Sequence, residues 1–403
     1  MAFCKDFVWG AASSAYQTEG YPTADGGGES VWDVFCRKPG AIANGEDGSV
    51  ACDGYHRFAE DINLLASLGL GAYRFSVSWA RIDPTGNGRW NEAGLRYYDR
   101  VVDCCLRHGV TPWMTLYHWE LPQALEVGGG WLRRETAEAF ARFAGMMAQH
   151  FGDRVSQFIT LNEPQIVLKL GYCDGIHAPG RRYPLPRLVQ CWKNLMLAHG
   201  LAFRAIRSTA PDAQIGIAST GKLCYPHAPA DEEAARNETF RLSDADWMFT
   251  HPITLDAACF GRVEPEPGAL SSLMRKISPE DWDIMHAIPD FIGVNSYNGS
   301  EIAADADGWP VYLPRPKGFP CTALKWPVTP EIMEYGYAFL YERYQLPLYV
   351  TECGLSCNDR IYLDGQVHDA DRIDFLHRYL LALRKGSERA DIRGFFHWSL
   401  TDN

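Results

Sequence analysis

Several signals are missing from this chain of 403 residues. No run approaches the roughly 18 uninterrupted apolar residues of a membrane span, and the N-terminus has no basic stretch before an apolar core. No two of the 12 cysteines form a Cys-x-x-Cys pair. We therefore predict an unexported, cytoplasmic protein whose cysteines are reduced and mostly buried, with metal binding by these cysteines as the weaker alternative.

An excess of basic residues is also missing. The chain has 38 Lys and Arg against 50 Asp and Glu, which gives a formal net charge of −12. Such a surface repels phosphate backbones and anionic lipid heads, so we expect neither nucleic acid nor a membrane as partner.

Common cofactor and nucleophile motifs are absent too. The sequence contains no complete Gly-x-x-x-x-Gly-Lys-Ser/Thr loop, no Gly-x-Gly-x-x-Gly opening a helix and no Gly-x-Ser-x-Gly elbow. None of its 12 histidines forms a His-x-x-x-His pair. We predict an enzyme without a cofactor or metal.

Short apolar runs do alternate with helical periodicity along the whole chain, without a linker or low-complexity stretch. Eight runs are predicted as strands: 7–10, 72–79, 111–116, 158–161, 215–218, 291–294, 348–351 and 394–398. Strands that alternate with helices pair in parallel, so eight such units favour one closed (β/α)8 barrel over an open doubly wound sheet. We expect a single catalytic domain over residues 1–403.

Barrel active sites lie at the C-terminal ends of the strands, and two carboxylates stand there. Glu163 follows the fourth strand, and Glu352 follows the seventh. Opposed carboxylates with different pKa values suit glycoside hydrolysis, in which one donates a proton and the other stays ionised. Either residue alone is more often solvated or capping a helix.

Residues around these carboxylates suit a neutral polyol. Gln17, His118 and Asn162 offer fixed hydrogen-bond groups, while indole rings offer faces for the CH side of a sugar. The candidate indoles are Trp119, Trp326 and Trp398. Any one Trp among the 13 is more often a core residue.

Arg74 lies in the middle of the second predicted strand, where a buried cation needs a carboxylate partner. We predict that this partner is Glu352, which would keep Glu352 anionic and leave Glu163 as the proton donor. An ion pair with some other acid is the alternative.

Five ordered segments resemble family 1 of the glycoside hydrolases, the β-glucosidase and β-galactosidase family. They are FVWGAASSAYQTEG (7–20), YRFSVSWARI (73–82), TLYHWELP (115–122), TLNEP (160–164) and WSLTDN (398–403). The resemblance runs from end to end and implies a (β/α)8 barrel.

The same resemblance implies that Glu163 is the acid/base and Glu352 the nucleophile of a double displacement that retains anomeric configuration. Their carboxyl groups would then lie about 5 to 5.5 Å apart. Arg74, Asn295 and Tyr297 would support the nucleophile. The family pattern places the remaining candidates on the substrate: Gln17, His118, Trp119, Asn162, Tyr297, Trp326 and Trp398. The expected reaction is release of terminal non-reducing β-D-glucosyl residues from small glycosides or oligosaccharides, with galactosyl or fucosyl as further glycones.

Two departures from the family pattern leave alternatives open. Cys353 stands where an Asn usually follows the nucleophile, and the sequence stops before the segment that the family continues into, including the last barrel helix. A 6-phospho-β-glucosidase and a truncated carbohydrate-binding protein with little activity are the alternative functions. The sequence leaves the oligomeric state open.

Overall fold

Eight parallel strands form a closed barrel in the computed structural model, which describes residues 3–402. The strands are β1 (Val8–Ala12), β2 (Ala72–Ser76), β3 (Thr111–Tyr117), β4 (Gln157–Asn162), β5 (Gln214–Ser219), β7 (Phe291–Asn295), β10 (Leu348–Cys353) and β11 (Ile392–Trp398). Their order around the barrel is β1-β11-β10-β7-β5-β4-β3-β2, and β2 pairs with β1 to close it. The predicted (β/α)8 fold is confirmed.

All eight predicted strands exist, and their ends differ by a few residues. The largest difference is at β2, which ends at Ser76 although the apolar run continues to Trp79. Ser78 ends the strand because its hydroxyl accepts a hydrogen bond from the backbone N–H of Arg81 at 3.3 Å and begins a helical turn.

Helices cover the outside of the barrel. In the first half of the chain they are α1 (Ala15–Thr18), α2 (Val31–Cys36), α3 (Gly54–Ser67), α4 (Trp79–Ile82), α5 (Glu92–Arg107), α6 (Gln123–Val127), α7 (Arg134–Phe151) and α8 (Pro164–Ile166). The others are α9 (Leu185–Thr209), α10 (Glu232–Phe240), α11 (Pro252–Phe260), α12 (Ala269–Met274), α13 (Pro279–Met285), α14 (Ile332–Tyr344) and α15 (Ala370–Gly386). Within residues 3–402, no helix is long and apolar enough to cross a lipid bilayer.

The segment between β5 and β7 is more ordered than the sequence indicates. The sequence of this segment predicts an irregular, acidic connection, but the segment contains the four short helices α10 to α13. The segment also contains β6 (Cys224–Pro226). This strand forms a small outer sheet with β8 (Ser300–Ala304) and β9 (Pro310–Tyr312), which follow β7. This outer sheet stands beside the C-terminal end of the barrel, because β6 starts five residues after β5 and β8 five residues after β7.

Large aromatic rings fill the interior of the barrel. The Trp113 ring packs against Phe291, Tyr349 and Phe396, with centroid distances of 5.3, 4.9 and 5.0 Å. Glycine makes room for one of these rings, because a Cβ at Gly216 would lie 2.3 Å from Phe291. The interior is therefore a packed core and not a channel.

The predicted helical stripes mostly face this barrel. On α7, Phe140, Phe143, Met147 and Phe151 are all fully buried. On α15 the sequence spacing predicts a buried stripe of Ile373, Leu376, Leu380 and Leu383. This prediction is wrong in part, since Ile373 is 66% exposed and the buried residues are Phe375, Tyr379 and Leu383. The buried face is rotated because two aromatic rings, which stack at 3.8 Å, occupy the contact with the barrel.

After β11 the described chain continues to Asp402 without a further helix. The peptide bond between Trp398 and Ser399 is cis. Three terminal residues lie outside the described part, namely Met1, Ala2 and Asn403, the last of which closes the WSLTDN motif.

Candidate functional site

A cavity of about 1150 Å³ opens at the C-terminal ends of the barrel strands. Both candidate carboxylates lie on its wall, Glu163 one residue past β4 and Glu352 within the last residues of β10. The position of Glu163 requires a left-handed backbone, with φ +47° and ψ 60°, directly before Pro164 begins α8. A non-glycine residue in this conformation costs free energy and is common at functional sites.

Glu352 accepts hydrogen bonds on both carboxylate oxygens. Arg74 Nη1 donates to Oε1 at 2.7 Å, and the Tyr297 hydroxyl donates to Oε2 at 2.7 Å. Both carboxylate and guanidinium are almost fully buried, with 5% and 0% of their side chains exposed. The predicted Arg74–Glu352 ion pair is therefore present, and each charged group has a buried partner of opposite sign.

Glu163 has a different environment. Its Oε1 accepts a hydrogen bond from Asn295 Nδ2 at 2.8 Å, and the Thr220 hydroxyl also bonds to its carboxylate. Burial and then the negative charge of Glu352 raise the pKa of Glu163 well above the ordinary carboxyl value. Glu163 therefore holds a proton at a pH at which an ordinary glutamate has lost it.

Two asparagines connect the carboxylates. Asn162 Oδ1 accepts from Arg74 Nη2 at 2.6 Å and from Asn295 Nδ2 at 3.0 Å. Thr351 Oγ1 then donates to Asn295 Oδ1 at 2.7 Å, which orients that amide. Because this network contacts both Glu163 and Glu352, it fixes the two groups relative to each other.

His118 and Trp398 form one wall of the cavity, with stacked rings 5.6 Å apart. Asn162 Nδ2 lies 3.1 Å from His118 Nε2, and His118 Nδ1 is buried without a hydrogen-bond partner in residues 3–402. Burial and the charge of Arg74 lower the pKa of His118, which keeps the ring neutral. With Nε2 as the acceptor, Nδ1–H is a donor for a substrate hydroxyl.

Other aromatic residues surround the cavity mouth. Trp119 Nε1 donates to the Asn162 carbonyl at 3.1 Å, and its ring packs 5.6 Å from His177. The half-exposed Trp326 ring meets Tyr297 edge-on at 5.4 Å. These rings give the cavity apolar faces beside its polar floor.

The structure brings nearly all predicted site residues to this cavity. Its wall contains Gln17, His118, Trp119, Glu163, Asn295, Tyr297, Trp326, Glu352 and Trp398. Arg74 and Asn162 are fully buried and lie behind the wall, where they hold its residues in place. Glu19 also follows the first strand, where the sequence predicts site residues, but it pairs with Arg81 at 3.0 Å.

Within the described chain, no group of three or more His, Cys, Asp or Glu side chains is arranged to hold a metal ion. The cavity offers a carboxyl group with a raised pKa, Glu163, opposite a carboxylate that is paired with a guanidinium, Glu352. This pair can donate a proton to a leaving oxygen on one side and meet a cationic centre on the other.

Comparison with known proteins agrees with this geometry. The model of the family "Glycosyl hydrolase family 1" matches residues 1–403. The chain belongs to this family.

Curated relatives match over the whole chain. Beta-glucosidase A of Thermotoga maritima is 38% identical, with 100% of this chain and 89% of the relative covered. An aryl-phospho-beta-D-glucosidase of Bacillus subtilis is 35% identical, covering 100% of this chain and 88% of that protein.

A solved structure matches as well. The Thermotoga maritima beta-glucosidase in complex with castanospermine superposes with a TM-score of 0.88 at 37% identity, covering 100% of this chain and 90% of the other. The predicted family membership is therefore confirmed, and the chain is a family 1 glycoside hydrolase with the barrel fold of that family.

Sequence reasoning missed one contact of the acid/base candidate in this family 1 site. Thr220 directly follows β5, and its hydroxyl bonds to Glu163. The strand-end argument that found Glu163 and Glu352 applies equally to β5, but a lone Thr there carries no distinctive chemistry.

Cys353, the residue that departs from the family pattern, is fully buried next to Glu352. Burial raises the pKa of its thiol, so it stays protonated. It pairs with His397 in the register of β10 and β11 and thus points away from the substrate side of Glu352.

Proposed function

We propose that this family 1 glycoside hydrolase releases terminal β-D-glucosyl residues from small glycosides by double displacement, with retention of anomeric configuration. Glu352 is the nucleophile and Glu163 the acid/base. Arg74, Asn295 and Tyr297 hold these two carboxyl groups, while Gln17, His118 and Trp398 bind the glycone. Asn162, which lies behind the cavity wall, orients Arg74 and His118 for these roles.

In the first step, the Glu352 carboxylate attacks the anomeric carbon, and Glu163 gives its proton to the glycosidic oxygen as the bond to it breaks. The products are a glycosyl ester on Glu352 and a free alcohol. Arg74 and Tyr297 keep Glu352 ionised and aimed before the attack, since each donates to one of its oxygens.

In the second step, the ionised Glu163 takes a proton from water, and the resulting hydroxide displaces Glu352 from the anomeric carbon. Formation of the ester has removed the negative charge of Glu352, which is one cause of the raised pKa of Glu163. The same residue therefore becomes a stronger acid and better suited to act as the ionised base.

One observation supports the proposal above others: two buried carboxyl groups share a cavity, but one has a charged hydrogen-bond partner and the other has only neutral partners. Glu352 is paired with a cation at 2.7 Å, and Glu163 has only neutral donors directly bonded to it. Such a difference between neighbouring environments suits one carboxyl group for the role of acid and the other for the role of nucleophile.

Replacing Glu352 by Gly tests the nucleophile. We expect hydrolysis of 4-nitrophenyl β-D-glucoside to fall by at least about 10⁴-fold and sodium azide to restore turnover, with the inverted α-glucosyl azide as product. Proton NMR of the wild-type reaction should show the β-anomer of glucose first. Undiminished activity in the variant, or first release of the α-anomer by the wild type, would contradict the assignment.

A 6-phospho-β-glucosidase is the second candidate, because one relative carries that activity in its name. The cationic side chains on the cavity wall are Lys222 and Arg372, and each is opposed by two carboxylates. The phosphate group of a 6-phosphoglucoside would lie near these carboxylates and be repelled by their negative charge. The cavity therefore favours the unphosphorylated sugar. A panel of 4-nitrophenyl β-D-glucoside and its 6-phosphate decides between the two by their kcat/KM values.

The same panel separates catalysis from carbohydrate binding alone, since a binding protein would bind glucose without releasing nitrophenol.

We further propose that residues 1–403 act as one catalytic domain, because strands from both ends of the chain pair in one barrel. A cytoplasmic location is supported by the 12 cysteines, which are all unpaired thiols in the structure.

A further inference from the structure

Buried polar side chains form a second layer behind the acid/base candidate Glu163, between the ends of β4 and β5. Gln165 Nε2 donates to Ser219 Oγ at 2.7 Å and to the Thr250 carbonyl at 3.3 Å. Ser219 Oγ in turn lies 3.0 Å from His251 Nδ1. We call Gln165, Ser219 and His251 the support cluster; none of these three residues is on the cavity wall.

The support cluster is almost completely buried. A buried polar group that loses its partner costs free energy, so the contacts within the cluster are maintained in the folded protein. Burial lowers the pKa of His251 to about 3, which keeps its ring neutral, so Nδ1 can accept the proton of the Ser219 hydroxyl. The hydrogen bonds therefore run from the Gln165 amide to the Ser219 hydroxyl and on to the His251 ring.

The support cluster joins the two segments that position Glu163. Ser219 directly precedes Thr220, whose hydroxyl bonds to the Glu163 carboxylate. Gln165 lies two residues after Glu163, within α8. Glu163 itself has a left-handed backbone, a conformation that persists only where the surrounding contacts enforce it. The Gln165–Ser219 bond thus ties the turn after Glu163 to the end of β5, from which Thr220 reaches the carboxylate.

His251 extends these contacts to helix α11. The residue directly precedes the helix, and its carbonyl accepts from the Leu255 N–H at 2.9 Å. On the other side, a Cβ at Gly221 would lie 2.8 Å from the His251 backbone nitrogen, so the chain after β5 packs directly on this residue. The first turn of α11 therefore supports the end of β5 and, through Ser219, the turn after Glu163.

We propose that Gln165, Ser219 and His251 are positioning residues that hold the Glu163 carboxyl group at the glycosidic oxygen. This inference rests on the function proposed above and concerns only its acid/base step. Proton transfer needs donor and acceptor within about 2.6–3.2 Å, so a small displacement of Glu163 weakens protonation of the leaving oxygen. Attack by the nucleophile is affected much less, because its two side-chain donors come from β2 and from the loop after β7.

Gln165→Leu is the main test, because it removes both N–H donors at nearly constant volume. Phenyl β-D-glucoside has a basic leaving group that needs the proton of Glu163, whereas 2,4-dinitrophenyl β-D-glucoside hardly needs it. We expect kcat/KM for the phenyl substrate to fall about tenfold and that for the dinitrophenyl substrate to stay within about twofold of wild type. Ser219→Ala should show the same split. The ratio of the two values does not depend on the folded fraction of a variant, so lower stability alone cannot produce the split.

Asn194→Leu is the matched control, since it also replaces a buried amide, one whose Nδ2 donates to the Trp131 carbonyl at 2.8 Å. Its ratio of kcat/KM values should equal that of the wild type. At position 251, Asn keeps an acceptor near the place of Nδ1 and Leu does not. The ratio should therefore change about threefold in His251→Leu and return to that of the wild type in His251→Asn.

An unchanged ratio in either Gln165→Leu or Ser219→Ala, or an equal change in Asn194→Leu, would overturn the inference. If Gln165→Leu does not fold, Ser219→Ala decides alone, because it removes only one hydroxyl. Failure of the proposed function looks different: Glu163→Ala would then show no split between the two substrates.

Discussion

Burial alone does not distinguish the two glutamates that we propose as acid/base and nucleophile. Glu163 is 6% exposed and Glu352 is 4% exposed, yet they are assigned opposite protonation states. The difference comes from single contacts, above all from Arg74, which donates to Glu352 and not to Glu163. At the scale of the residue, one guanidinium therefore determines which carboxyl group is the acid.

Thr220→Val tests how single contacts set the pKa of Glu163, the carboxyl group that Arg74 does not bind. The Thr220 hydroxyl lowers the pKa of Glu163 against the stronger effect of burial, so its removal should raise that pKa further. Glu163 acts as an acid below its pKa, and activity is lost as pH rises through it. We expect the alkaline limb of the kcat/KM profile to move up by about 0.5 to 1 pH unit.

The control for this experiment is Thr136→Val on α7, which also removes a buried hydroxyl, one that donates to the Gly130 carbonyl at 2.7 Å. Its pH profile should match that of the wild type. A downward shift in Thr220→Val, or equal shifts in both variants, would contradict the role of Thr220.

Residue contacts were predictable where burial forces a partner. A guanidinium in the middle of a strand needs an acid, and this argument found the Arg74–Glu352 pair across 278 positions of sequence. Thr220 and Lys222 do not predict a particular partner in this way, because hydroxyl and ammonium groups that follow a strand are ordinarily solvated. Their contacts depend on where the 244–251 loop and the outer sheet fold back.

At the scale of the element, the loop after β3 positions His118 and Trp119 with a left-handed Trp119 at φ +73°. The next residue, Glu120, is buried beneath it. Burial, followed by the charges of Glu19 and Asp33, raises the pKa of Glu120 to about 8, against the weaker influence of Ser78 and Arg81. Tyr98 and Tyr117 also face this carboxyl group.

This raised pKa makes the stability of the loop depend on pH. Below about pH 4.5 both folded and unfolded chains hold the proton, and as pH rises to about 8 only the folded chain must keep it. The contribution of Glu120 to the unfolding free energy therefore falls over this range. In Glu120→Gln, which cannot ionise, we expect less loss of stability between pH 5 and pH 8, by about 1–3 kcal/mol.

Denaturant unfolding at the two pH values measures this difference. The exposed Glu388→Gln serves as control and should lose as much stability as the wild type. If Glu120→Gln loses as much unfolding free energy between pH 5 and pH 8 as the wild type does, other groups in the protein carry the pH dependence of stability.

The elements themselves were predictable to different extents. Barrel strands such as β4 and β7 are buried on both sides, so each appears as a continuous apolar run. Helices α10 to α13 and the outer sheet lack such a signal because they are short, and their burial depends on contacts with distant elements. The α15 stripe was misplaced for a related reason: its Phe375 and Tyr379 rings take the buried side, and aliphatic residues are left partly exposed.

At the scale of the whole molecule, the aromatic core inside the barrel supports the cavity above it. Trp113 packs against rings from β7, β10 and β11, and these strands also carry Asn295, Glu352 and Trp398. The placement of the site thus depends on a core that contacts no substrate.

Trp113→Ala should therefore destabilise the whole barrel. Loss of a large buried ring costs about 3–5 kcal/mol, measured as a lower unfolding free energy in denaturant. Trp309→Ala is a matched control, since that residue is 70% exposed and its loss should change stability by less than about 0.5 kcal/mol. Equal stability of the two variants would contradict the role of Trp113.

Arg74 reaches from β2 to Thr115 on β3, to Asn162 on β4 and to Thr351 and Glu352 on β10. The nucleophile is thus charged and aimed only after strands distant in sequence have been assembled around one guanidinium. A chain that has formed its helices but not joined β1 to β11 would lack the contact between Arg74 and Glu352 that the proposed mechanism needs. Recovery of hydrolysis during refolding consequently times the final closure of the barrel, which makes substrate turnover a probe of folding kinetics.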